Sequence, residues 1–124
     1  MIDAREVKKI LQKHFPRARF SIRYGRVGLR RVLDIKTDLL KYGSEEKQRL
    51  MDLDYKLRTV HKLTPEESDE WEFLMELKER DKKMRNRILD VLAKYGIEPE
   101  IYRDPVSGEI LSGGFSIHIE PLGK

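Results

Sequence analysis

The chain contains no cysteine. That excludes a disulfide framework and a thiolate metal site, and it fits a reducing compartment. Amides are nearly absent: Asn86 is the only asparagine, and Gln12 and Gln48 are the only glutamines. Scarce amides beside abundant Lys, Arg and Glu are the composition expected of a protein from a hot environment. No apolar run approaches the ~20 residues of a membrane helix. The opening Met1-Ile2-Asp3-Ala4-Arg5-Glu6 lacks the apolar stretch of a secretory signal. These absences lead us to expect a cytoplasmic protein with no membrane partner. Nucleotide-binding and hydrolase signatures are missing too, with no Walker loop, no G-x-S-x-G and no dinucleotide fingerprint. His14, His61 and His118 fall in three separate segments, none in a metal-binding spacing. Neither enzymatic activity nor a cofactor or metal is expected. The best-placed carboxylate pair, Asp34 and Asp38, does not by its spacing identify an acid–base site.

Charge is what the chain has in quantity. Charged residues make up 39% of its 124 residues, against roughly 25% in ordinary globular chains. Their distribution is lopsided. Residues 1–36 carry eleven Lys and Arg against Asp3, Glu6 and Asp34, whereas the remainder has an acidic excess. A basic end on a chain of net charge +4 points to an anionic partner for that end.

The hydrophobic periodicity gives the order α-ββ-αα-ββ. A first helix spans about residues 4–15, with Asp3 as N-cap, Glu6 in a capping box, and Val7, Ile10, Leu11 and Phe15 on one stripe. Pro16 ends it. Phe20, Ile22 and Tyr24 alternate with polar residues as in a half-buried strand. Gly25-Arg26-Val27-Gly28 reads as the turn, and Arg31 to Lys36 as the return strand. Ser44 is the expected cap of a second helix. Thr64-Pro65-Glu66-Glu67 combines an N-cap, a proline at the first helical position and a capping box, and Gly96 is a stop signal. The helix between them would run ~30 residues, about 45 Å at 1.5 Å per residue. Leu50, Leu53, Leu57 and Val60, then Leu74, Leu77, Met84, Ile88 and Val91, suggest an antiparallel helical hairpin over about 44–95 with a continuous seam, interrupted only by Asp81. Such a seam also leaves room for a homodimer. Two last strands are expected at Glu100 to Arg103 and Ile110 to Glu120, with a bulge at Gly113-Gly114. The expectation is one α+β domain over 1–124. It would hold a four-stranded, mostly antiparallel sheet, one N-terminal helix and the helical hairpin inserted between two β-hairpins.

The segment from Arg17 to Arg31 holds six arginines: Arg17, Arg19, Arg23, Arg26, Arg30 and Arg31. Guanidinium forks bind phosphate bidentately, a two-stranded ribbon can enter a major groove, and Tyr24 offers a ring for stacking on a base. These seven side chains are the candidate partner-binding residues. A sheet edge merely protected by charge is the plain alternative. Gly25 to Gly28 has the G-x-x-G spacing of KH domains, but it lies between strands where the KH loop joins helices. A second cluster, Lys78 to Arg87, reads as a solvated helix surface.

Phe15-Pro16, Phe20-Ser21-Ile22-Arg23 and Thr37-Asp38 give residues 5–38 a pattern that resembles the large polyvalent protein-associated domains of phages and conjugative elements. The chain departs from that pattern where Trp would precede Thr-Asp and Gly-Pro would follow, since Lys36 and Leu39-Leu40 stand there. The resemblance implies a mobile-element origin and a role in handling DNA or host defences, and it transfers no catalytic residues. Two functions follow as expectations. One is a non-enzymatic nucleic-acid-binding protein using the Arg-rich hairpin. The other is an anti-defence protein, such as an anti-CRISPR-type inhibitor, that docks on a host protein handling nucleic acid.

Overall fold

A computed structural model describes residues 3–28, 30–100, 106 and 114–123. Helix α1 (Ala4–His14) starts at Asp3, whose carboxylate accepts from Arg5 N at 2.9 Å. It buries Val7 and Leu11 and leaves its lysines outside. Strands β1 (Phe20–Val27) and β2 (Arg30–Thr37) form an antiparallel hairpin in which Val27 pairs with Arg30. The expected turn is displaced. Gly25 and Arg26 continue the strand, opposite Val32 and Arg31, and the chain reverses at Gly28, which takes φ +64°. Glycine enters that region at no steric cost, so the second glycine of the pair, not the first, marks the turn.

Helix α2 (Ser44–Val60) begins one residue earlier than expected, with Ser44, the expected cap, as its first residue. Gly43 is the N-cap, and its N–H donates to Glu46 at 3.1 Å. Helix α3 (Pro65–Lys94) starts as the sequence indicates. Thr64 Oγ1 accepts from Glu67 N, and the Glu67 carboxylate accepts from Thr64 N. At its far end Ile97 N reaches back to Leu92 O and Gly96 N to Ala93 O, with Gly96 at φ +78°. These two bonds are a Schellman termination, which satisfies carbonyls the helix would otherwise leave orphaned.

The fold is α+β, and the described sheet has three strands in the order β1-β2-β3, where β3 is Phe115–Pro121. The four-stranded, mostly antiparallel expectation is corrected in one respect: β3 runs parallel to β2, with Leu33 beside Ile117 and Ile35 beside Ile119. Alternation carries no direction, and the two helices between β2 and β3 provide the long crossover a parallel pair requires. Of the expected strand from Glu100 to Arg103, Glu100 forms an isolated antiparallel bridge with Phe115. Residues 101–103, 110–112 and the Gly113 half of the expected bulge lie outside the described residues.

One sheet face is covered. Phe20, Leu33, Ile35, Phe115 and Ile119 pack with Val7 and Leu11 of α1 and with Ile88 and Leu92 of α3 in one core. A smaller cluster of Leu50, Leu53 and Leu74, flanked by Tyr42, Leu63 and Trp71, joins α2 to the first half of α3. The continuous helical seam is therefore not formed. Leu57 and Val60 are 41% and 61% exposed, and Met84, Ile88 and Val91 serve the sheet core instead. The 3-4 spacing is right, but α3 spends its apolar stripe on two different neighbours along its length.

Candidate nucleic-acid interface

The opposite sheet face presents Ser21, Arg23 and Val27 from β1, Arg30, Asp34 and Lys36 from β2, and His118 and Glu120 from β3, all exposed. The register sets Arg23 beside Asp34 and Asp34 beside His118 in one row, and Lys36 between Ser21 and Glu120 in another. Charges of both signs thus alternate across the middle of this face.

The hairpin tip differs. Arg26 lies directly across from Arg31, and Arg30 across from Val27. Arg31 is held in place: its Nη2 lies 3.2 Å from Glu100 Oε2, and its guanidinium sits 5.9 Å from the centroid of the Phe115 ring. Arg31 is therefore half-buried and committed to the fold, while Arg26 and Arg30 stay exposed. Among the described residues none of Arg17, Arg19, Arg23, Arg26 or Arg30 makes an ion pair within 4.0 Å. Tyr24 falls on the covered side. It is half-buried, with its ring 6.3 Å from that of Phe115.

Arg17 and Arg19 sit at the other end of β1. Both are exposed, and the backbone N–H of Arg19 donates to Asp38 Oδ1 at 2.9 Å, tying the entry of β1 to the turn after β2. Seven residues of extended chain separate Arg19 from Arg26, about 23 Å at ~3.3 Å per residue. The six arginines thus form two groups with Arg23 between them. An open recess of about 450 Å³ lies beside the Arg17 end, lined by Phe15, Arg17, Asp38 and Leu39 among others.

The second charge cluster is more structural than its sequence suggests. Asp81 is 1% exposed and accepts from Lys41 N and Tyr42 N. Arg85 Nε donates to Ile119 O at 3.1 Å. The Arg87 guanidinium lies 5.7 Å from the centroid of the Phe15 ring, which adds a cation to the Arg17 end. The one signal for these roles is the lone Asp81 in an apolar stripe. Nothing local in the sequence indicates where Arg85 and Arg87 reach.

The carboxylate pair considered above is divided in role, with Asp34 on the open sheet face and Asp38 holding Arg19 N. His14 Nε2 lies 3.2 Å from the Tyr95 hydroxyl, with the two rings edge to face. His61 caps α2 in the left-handed region, and His118 is exposed on β3. Among the described residues no three His, Asp or Glu side chains cluster closely enough to hold a metal ion, and no helix is long and apolar enough to cross a membrane. Among the described residues the shifted ionisations lie away from the hairpin. Lys56 donates to Glu67, and with help from Thr64 it holds that carboxyl down at about 2. Arg49 lowers Glu70 in the same way.

No family model, curated protein or solved structure matches this chain.

Proposed function

We propose that this chain is a non-enzymatic nucleic-acid-binding protein that engages phosphate through its Arg-rich hairpin. The observation that carries the reading is the state of the arginines. Arg23, Arg26 and Arg30 are exposed and make no ion pair among the described residues, and Arg26 stands abreast of another arginine. Like charges directly opposed across strands are destabilising, so an arrangement of this kind gains when an anion sits against it. A phosphate oxygen pair is the ligand a guanidinium fork fits best. The origin in a phage or conjugative element rests on the resemblance of residues 5–38.

A second reading is an inhibitor that docks on a host protein handling nucleic acid. It draws on the alternating charge of the open sheet face, where Arg23, Asp34, Lys36 and Glu120 offer paired signs to a polar protein surface.

A salt titration separates the two. For duplex, log affinity falls linearly with log salt, with a slope of about −0.9 per phosphate neutralised. Changing Arg23, Arg26 and Arg30 together to Ala is expected to flatten that slope by roughly two to three units. Capture of a host protein that survives nuclease treatment, yet is lost in the triple variant, favours the inhibitor. A triple variant that binds every partner as the parent does leaves the hairpin as a charged edge only.

A further inference from the structure

We infer that the nucleic acid held by this protein is a duplex, gripped by its phosphates at both ends of β1, and not a single strand read by base stacking. This rests on the nucleic-acid reading above and narrows it. Proteins that hold single strands combine a basic groove with exposed aromatic rings on which the bases stack. Among the described residues the open sheet face carries no Phe, Tyr or Trp, and its one ring is the small imidazole of His118: its side chains are Ser21, Arg23, Val27, Arg30, Val32, Asp34, Lys36, Ser116, His118 and Glu120. Both aromatics of the hairpin turn to the covered face: Phe20 is buried in the core, and Tyr24 lies against Phe115. The exposed rings Tyr55, Phe73 and Tyr95 stand on or next to the helices. The hairpin therefore offers guanidinium groups suited to a phosphate backbone, and no large ring as a stacking platform for successive bases.

The spacing of those groups points the same way. Arg30 marks the tip on the open face, and Arg26 stands at the same tip in the row of Tyr24 and Arg31 on the other side of the ribbon; Arg17, Arg19 and Arg87 mark the opposite end of β1. The separation of about 23 Å exceeds the ~12 Å width of the major groove, so the two ends can rest on backbones flanking one groove while Arg23 lies between them. A flexible single strand gains nothing from this fixed span, whereas a duplex presents phosphates at fixed separations.

The test uses the full chain with two labelled probes, a mixed-sequence duplex of two helical turns and an oligothymidine of the same length. Binding is followed by fluorescence anisotropy across a salt series. The parent is expected to bind duplex about tenfold tighter or more. Arg17→Ala with Arg19→Ala, and separately Arg26→Ala with Arg30→Ala, should each reduce the duplex salt slope by about one to two units. Gln at the same positions keeps much of each side-chain stem and replaces Ala if an Ala variant melts early. Equal or tighter binding of oligothymidine overturns this inference while leaving the nucleic-acid reading in place. So does an unchanged slope on removing Arg17 and Arg19 when removing Arg26 and Arg30 still lowers it. A parent that binds neither probe overturns both.

Discussion

The carboxylate of Asp81, in the middle of α3, accepts a hydrogen bond of 2.6 Å from the backbone N–H of Tyr42. Both its oxygens also take the N–H of Lys41, at 3.1 and 2.9 Å. A buried carboxylate thus fastens the chain leaving β2 and entering α2 to the middle of the long helix α3. In an apolar stripe this residue looks like a defect. In the fold it satisfies two amide groups on a segment that belongs to neither helix nor strand.

Replacing Asp81 by Ala is expected to destabilise the protein by about 3 kcal/mol, because two backbone donors lose a charged acceptor. Leu at the same position would complete the heptad-like pattern, yet it should not restore stability, since the donors stay unsatisfied. Urea unfolding of both variants checks this. A Leu variant as stable as the parent would show that the stripe matters more than the anchor.

Acid sensitivity should reside where α2 meets the start of α3. Glu67 has its folded value at about 2, below its ordinary 4.5, with the Lys56 bond the largest cause. A group depressed on folding contributes above its unfolded value and loses that contribution as pH falls through the folded one. The stabilising effect of Glu67 is therefore complete above about pH 4.5 and disappears towards about pH 2. Glu67→Gln should flatten the melting temperature against pH across that window, with Glu70, lowered by Arg49, adding to the same limb. A profile identical to the parent's would show that the acid limb has another source.

The helical stripe yields an unequal set of core variants. Ile88 is fully buried in the sheet core and Leu74 is 4% exposed in the smaller cluster, whereas Leu57 is 41% exposed. Ile88→Ala is expected to cost about 3–5 kcal/mol, Leu74→Ala about 2–4, and Leu57→Ala under about 1. Denaturant midpoints rank the three. An equal loss at Leu57 would restore the continuous seam that the spacing alone suggests.

These contrasts indicate what was legible before the structure. Thr64-Pro65-Glu67 and Gly96 bounded α3 correctly because capping is local chemistry, decided by residues three or four apart. The faces of β1 and β2 were legible for the same reason, with Leu33 and Ile35 inside and Asp34 and Lys36 outside. The direction of β3 was not, since Phe115, Ile117 and Ile119 alternate identically in either sense. The neighbours of α3 were hidden as well. Its spacing specifies a buried stripe, but only tertiary contact shows that Leu74 meets α2 while Ile88 meets the sheet. At the candidate site, sequence gave the arginines as one run. The strand spread them over its length, withdrew Tyr24 to the core face and set Arg31 against Phe115.

That division makes Arg26 and Arg31 opposite in effect although they face each other across the hairpin. Arg31 has a carboxylate and a ring against it, so Arg31→Ala removes packing as well as charge and should lower stability by about 1 kcal/mol or more. Arg26 faces only the Arg31 guanidinium, whose charge Glu100 partly offsets. Arg26→Ala should leave stability unchanged or raise it by a few tenths of a kcal/mol up to about 1 at low salt. The gain should fade as salt shortens the Debye length from about 30 Å at 0.01 M to about 3 Å at 1 M. Thermal melts of the two variants at low and high salt make the comparison. The same Arg26 variant is expected to weaken duplex binding, so it should gain in the free protein and lose in the complex. That opposition is the mark of a residue placed for a ligand. If Arg26→Ala destabilises the free protein as much as Arg31→Ala does, Arg26 belongs to the fold, and the hairpin tip loses its claim to be a binding surface.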